Sequence, residues 1–214
     1  TDTYNFSWLD PDKEVYVLQN RKFRKDKRIY VSAGYGKTTS GPFVDATSLQ
    51  GRLGYFFKEE WGAEIVYAKN SGAENDNAKA VRNTIGAGTS PFRRIVDGYT
   101  GAMLMWSPFY TKTNTFNRIF YMDWLFGLGM ASIAETNNTD EITTGGVSKT
   151  LKSESHTGYI WDLGLLFHIT NSSGIRVDLT TISYSAKAPT STTGTLESSS
   201  ESNWDLVISY NYRF

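Results

Sequence analysis

From Trp204 to the C-terminus every second side chain is large and apolar. Leu206, Ile208, Tyr210, Tyr212 and Phe214 alternate with Asp205, Ser209, Asn211 and Arg213. A period of two is a strand with one apolar and one polar face. The same period predicts strands over 28–37 (Ile29, Val31, Ala33, Tyr35), 47–57 (Leu49, Leu53, Tyr55, Phe57 against Ser48, Gln50, Arg52) and 61–69 (Trp61, Ala63, Ile65, Tyr67 opposite Glu64). It continues over 117–132 (Phe120, Met122, Trp124, Phe126, Leu128, Met130 against Asp123, Gly127, Gly129), 156–169 (Tyr159, Trp161, Leu163, Leu165, Phe167 against Asp162, Gly164, His168) and 175–184 (Ile175, Val177, Leu179 against Arg176, Asp178). Residues 99–107 carry apolar side chains on both faces, Tyr99, Gly101, Met103 and Met105 against Leu104 and Trp106, so this strand is the least clearly assigned until Pro108 ends it.

These eight strands are joined by connections that alternate long, short, long, moderate, long, short, long. Lys58-Glu59-Glu60 and 170–174 are tight, whereas 70–98, 133–155 and 185–203 are long and polar, with a short helix expected over 77–85. The expected fold is all-β: an eight-stranded antiparallel up-and-down transmembrane β-barrel with short turns and both termini on the periplasmic side.

Aromatic positions test that orientation. Tyr55, Phe57, Trp61, Phe120, Phe167, Tyr210, Tyr212 and Phe214 fall at strand ends on the side of the termini; Tyr35, Tyr67, Tyr99, Tyr159, Trp161 and Trp204 fall at the opposite ends. Two girdles are what the two interfaces of a bilayer select. A soluble lipocalin-like barrel, the rival, would not need them.

Composition narrows the classes further. Mean hydropathy is −0.40 and no window approaches the ~18 apolar residues of a spanning helix, a test that barrels escape because only alternate residues meet lipid. The 22 basic residues balance 22 acidic ones, so a field for nucleic acid is not indicated. Cysteine is absent, which removes thiolate chemistry and zinc-thiolate sites, and no cofactor is implied. The chain opens at Thr1 without a signal-like segment, as expected of an exported protein whose signal is missing.

Residues 1–27 read as a periplasmic N-terminal segment ahead of a barrel over 28–214. Six of residues 21–28 are basic, and Arg21, Lys22, Arg24 and Lys25 are candidates for contact with anionic lipid headgroups or with the acidic end of the lumen. On the inward register Arg52 and Arg176 face Glu64, Asp123, Asp162, Asp178 and Asp205. An eight-stranded barrel is just wide enough for side chains to fill, so these charges are expected to pair rather than to line a channel. His156 with Ser153, Glu154 and Ser155, and His168, are the candidates for a lipopolysaccharide-modifying enzyme, the third reading after a lipid-organising barrel and a narrow porin. Small or soft outward residues, Thr181 and Ser183 on one strand and Gly101, Met103 and Met105 on another, are candidates for close approach of a second copy, or for ordinary lipid contact.

Val17-Leu18-Gln19-Asn20-Arg21-Lys22-Phe23, followed by Arg28, Ile29 and Gly41-Pro42-Phe43-Val44, resembles the opening of a family of small outer-membrane β-barrel domain proteins of myxobacteria and Bdellovibrio-like predatory bacteria. Trp106-Ser107-Pro108-Phe109-Tyr110-Thr111-Lys112, Asp123 and Gly127-Leu128-Gly129 are similar to that family's middle motif, with Thr111 where the family has glycine. Tyr210, Tyr212 and Phe214 resemble the assembly signal read by the barrel-insertion machinery. The resemblance implies location in the bacterial outer membrane, contact with its lipids, no catalytic residues, and a homo-oligomeric ring enclosing lipid.

Overall fold

The structure, a computed structural model, describes residues 21–39, 44–74, 76–77, 79–80, 92–115, 117–143, 151–189 and 196–214. Its strands are β1 (Arg28–Thr39), β2 (Val44–Phe56), β3 (Trp61–Glu74), β4 (Arg94–Trp106), β5 (Tyr110–Thr115), β6 (Arg118–Asn137), β7 (Lys152–His168), β8 (Ser173–Pro189) and β9 (Leu196–Arg213). All neighbours pair antiparallel in the order β4-β3-β2-β1-β9-β8-β7-β6, and β4–β6 pairing closes the wall. β9 meets β1 from Tyr30↔Arg213 to Thr39↔Trp204. The result is a closed eight-stranded barrel, with β5 extending one wall position. Closure gives each of the eight wall strands a partner on both sides, which a sheet edge in hydrocarbon could not do, while β5 pairs with β6 alone.

The expected outward faces hold on β1, β2, β3, β6, β7, β8 and β9. Ile29, Leu53, Ile65, Leu128, Tyr159, Ile208 and Tyr210 are all exposed, while their sequence neighbours are buried or half-buried. The ambiguous strand resolves with its candidate residues for contact with a second copy turned inward. Tyr99, Met103 and Met105 are buried inside, and Leu104 and Trp106 face out. Tyr99 therefore leaves the outer girdle and Gly101, Met103 and Met105 leave the outer face. The reason is volume: this side of the lumen is filled by apolar side chains, so alternation carries no polarity signal. A bulge between Val96 and Gly98, which leaves Asp97 outward, sets the phase above Tyr99.

Pro108 ends β4 as expected but does not end the wall. It interrupts the ladder at 107–109, where Ser107 N donates to Glu60 O (2.7 Å) and Trp124 N to Phe109 O (3.1 Å), and pairing resumes from Tyr110↔Asp123 to Thr115↔Arg118. The hairpin turns at Asn117, whose φ of 61° lies in the left-handed region asparagine tolerates. Thr111 is thus a strand residue.

The strands also run longer than predicted at the end away from the start of β1 and the close of β9. Residues 196–203 read as loop, yet Leu196 to Asn203 pair with Pro189 to Ile182. Both faces are polar there, so the backbone ladder forms without an amphipathic signature. Asp76, Asn77, Lys79 and Ala80 are helical, whereas the rest of the helix expected over 77–85, the segment 1–20 and Gly41-Pro42-Phe43 lie outside the described residues.

Candidate functional site in the barrel lumen

Because inward positions recur every second residue, residues far apart in sequence converge on the axis. Gln50 and Arg52 come from β2, Glu64 from β3, Asp162 from β7, and Arg176, Asp178 and Thr180 from β8. Arg176 pairs with Glu64 through Nη1 and, at 3.2 Å, through Nη2; its Nη2 also reaches Asp162 Oδ2 (3.1 Å) and its Nε Asp178 Oδ1 (2.6 Å). Arg52 donates from Nη1 to Glu64 Oε1 (2.7 Å) and from Nη2 to Asp162 Oδ1 (3.1 Å), Thr180 Oγ1 (2.7 Å) and Gln50 Oε1 (3.0 Å). Tyr30 Oη donates to Glu64 Oε2. Planar guanidinium forks bridging several carboxylates give the hydrogen-bond density that a buried charge cluster requires.

Glycines make room for this layer. A Cβ at Gly54 would sit 2.2 Å from Tyr30 Cζ, and one at Gly127 would sit 2.9 Å from Met105 Sδ and 3.1 Å from Asp162 Cβ. Met103, Met105 and Leu125 are buried on the facing wall.

Five of the seven lumen charges, Arg52, Glu64, Asp162, Arg176 and Asp178, thus form one cluster. The other two do not join it. Asp205 accepts from Tyr99 Oη (2.8 Å), Gln50 Nε2 (3.0 Å), Ser48 Oγ (3.3 Å) and Asn203 Nδ2 (3.0 Å), a neutral cradle nearer the far mouth.

Asp123 lies at the mouth beside the start of β1 and the end of β9, where Phe23 and Lys25 of the segment 21–27 insert into the lumen. Lys25 Nζ is 2.6 Å from Asp123 Oδ1 and donates to Ser107 Oγ at 2.7 Å. Burial holds the Lys25 ammonium below its ordinary 10.5, opposed by Asp123. Glu59, in the tight β2–β3 turn, clamps the segment by accepting from the backbone N–H of Lys25 (3.0 Å) and Asp26 (3.0 Å). Phe23 stacks on His168 with ring centroids 4.9 Å apart. His168 Nε2 is 2.6 Å from Asp123 Oδ2, while Arg213 Nη2 donates to Nδ1 at 2.8 Å. That donor fixes Nδ1 as the acceptor, so Nε2–H points at Asp123.

The headgroup expectation therefore fails for Lys25, which is buried, and the acidic end of the lumen is what it meets. Arg21 is mostly buried too, 3.5 Å from Glu59 and over the Tyr110 ring at 5.4 Å. Lys22 and Arg24 stay exposed. Tyr210, Tyr212 and Phe214 face outward, the last two rings edge to face at 5.0 Å. The hydrolase arrangement does not assemble around His156, because Ser153 and Ser155 occupy the opposite face of β7 from Glu154 and His156. Sequence reasoning missed Tyr30, Thr180, Ser107 and Arg213. The inward phase of their strands marks Tyr30, Thr180 and Arg213, whereas nothing in the local pattern marks Ser107.

The chain is similar to solved structures of small bacterial outer-membrane barrels. The N-terminal barrel domain of OprF from Pseudomonas aeruginosa matches with a TM-score of 0.52 at 14% identity, over 88% of this chain and 98% of that one. OprG from the same organism matches at 0.54 and 13%, over 90% and 98%. Neisserial surface protein A matches at 0.53 and 10%, over 87% and 96%. This is an outer-membrane type of β-barrel. No family model matches the chain, and no curated protein does. At such identities the likeness concerns the fold, and the lumen chemistry rests on this chain's own residues.

Proposed function

We propose that the protein is a non-enzymatic integral barrel of the bacterial outer membrane, with periplasmic termini, that acts through its lipid-facing wall and loops as a structural or lipid-organising element. The observation that carries this reading is the filled lumen: the Arg52–Arg176 cluster spans it, and the Lys25–Asp123 pair and Phe23 stop its periplasmic mouth. A narrow porin needs a continuous wet path, which this packing opposes.

The outer wall supports the lipid role. A groove of ≈ 660 Å³ runs over β1, β2, β3, β4 and β6, where Ala63 and Ala102 leave room between Leu53, Tyr55, Ile65 and Leu128. Its apolar lining suits an acyl chain. The lipid-enclosing homo-oligomer implied by the resemblance to barrels of predatory bacteria draws support from the same concavity. Native mass measurement in mild detergent with lipid retained tests it: bound lipid, with or without self-association, is expected, and a strict monomer free of lipid would overturn the lipid role.

A further inference from the structure

At the mouth opposite the start of β1 and the end of β9, Glu135 on β6 lies directly across the ladder from Glu154 on β7, and His156 follows two residues on along the same inward face. Two carboxylates opposed across a ladder repel unless something positive lies between them. One ligand atom from each of Glu135, Glu154 and His156 can be chosen so that all three lie within 4.8 Å of one another. His156 Nε2 is 3.3 Å from Glu135 Oε1 and 3.7 Å from Glu154 Oε2. This nitrogen is buried and makes no hydrogen bond to either oxygen.

We propose that Glu135, Glu154 and His156 form a three-ligand site for a divalent first-row transition-metal ion of the Zn2+ type. The spacing carries the argument. Four ligands about 2.0–2.1 Å from a tetrahedral Zn2+ stand roughly 3.4 Å apart, close to the two edges that His156 makes here. Two carboxylates and one imidazole select such an ion over Ca2+ or Mg2+, which take oxygen ligands alone.

The surroundings orient these donors. Tyr184 Oη donates to Glu135 Oε2 (2.8 Å), Arg94 Nε lies 3.0 Å from the same oxygen, and the Tyr184 ring stacks on the His156 ring at 5.4 Å. Lys152 Nζ takes Glu154 Oε1 (2.7 Å), the oxygen not paired with His156. Asn137 Nδ2 donates to Glu135 Oε1 (3.1 Å) and Glu154 Oε2 (3.2 Å), bridging the two candidate oxygens from outside. Glu154 Oε2 keeps a second lone pair for a metal, whereas Glu135 Oε1 also meets Arg94 Nε at 3.1 Å, a contact shared with Oε2 that a bound metal would leave to Oε2 alone. Outer partners of this kind fix the ligands of metal sites. A cavity of ≈ 400 Å³, lined in part by Thr139, Glu154 and His156, adjoins the cluster and leaves the fourth coordination position to water or a small ligand.

Arg94 and Lys152 already offset part of the acidic charge, which makes Lys152 a useful probe. The experiment is calorimetric titration with Zn2+ of the chelator-stripped, refolded barrel in detergent, with Co2+ absorption reporting the coordination geometry. One saturable equivalent is expected, with a tetrahedral Co2+ spectrum. His156→Ala should weaken Zn2+ binding by at least about tenfold, the loss known even for outer-shell partners, and Lys152→Ala should strengthen it. Heat-modifiable gel mobility verifies folding of each variant; should His156→Ala not fold, Glu154→Gln replaces it under the same criterion. Absence of saturable Zn2+ uptake by the wild type, or unchanged affinity in a folded ligand variant, overturns the proposal.

Discussion

Lys25 Nζ lies 2.6 Å from Asp123 Oδ1, and neither side chain is reached by solvent. The pair ties the segment ahead of β1 to the wall of β6 and closes one end of the lumen. Replacing Lys25 by Met leaves Asp123 buried with His168 as its close partner, and breaking a buried pair from one side costs about 3–5 kcal/mol. Urea unfolding in detergent should show that loss. Adding Asp123→Asn to Lys25→Met should recover part of it, because the orphaned charge is gone; strictly additive losses would count against the pairing.

The same lysine gives a pH dependence. Burial lowers its native-state value below 10.5, so between the two values the unfolded chain binds the extra proton. Stability contributed by this group therefore rises with pH through that interval and is at its lowest on the acid side of it. The difference in urea midpoint between wild type and Lys25→Met should widen in favour of wild type as pH climbs toward 10.5; a difference flat in pH would show that Lys25 titrates normally.

Arg176 touches Glu64, Asp162 and Asp178 at once. Arg176→Met should destabilise the barrel by about 3–5 kcal/mol, more than removal of any exposed charge. Lower resistance to heat in the gel-mobility assay is the readout, and a variant as resistant as wild type would contradict the central role given to this cluster.

In planar bilayers the wild-type barrel should give no sustained current of porin size, because the charge layer and the Lys25 plug fill the lumen. Steady conductance of that size would sink the filled-lumen reading.

Phe214 N donates to Ile29 O at 3.0 Å, so the last residue helps seal the β9–β1 seam while its ring faces outward. Deleting Phe214 should reduce the fraction of chains inserted in the outer membrane. Normal insertion of the deletion variant would separate the terminal aromatic from assembly.

Residue by residue, the outer wall was legible from sequence because lipid imposes polarity on alternate positions. Leu49, Leu53, Ile65, Leu128 and Ile208 announce their side locally, and so do the aromatics at strand ends apart from the inward Tyr99. Legibility failed where that contrast vanished. Met103 and Met105 are apolar yet inward, and Leu196 to Asn203 form a strand polar on both faces.

The sequence by itself determined the eight wall strands in outline, the outward faces of all but β4, and the inward charges, since each depends on a period of two along one segment. Which inward charges meet was decided only by the tertiary structure. Strand stagger and closure bring Arg176 to Glu64, 112 positions away, but leave Asp205 to Tyr99 and Gln50. The fate of the basic segment was decided there too. Lys25 resembles its neighbours Lys22 and Arg24 in sequence, and only its insertion with Phe23 into the lumen turns it from a solvated cation into the buried partner of Asp123.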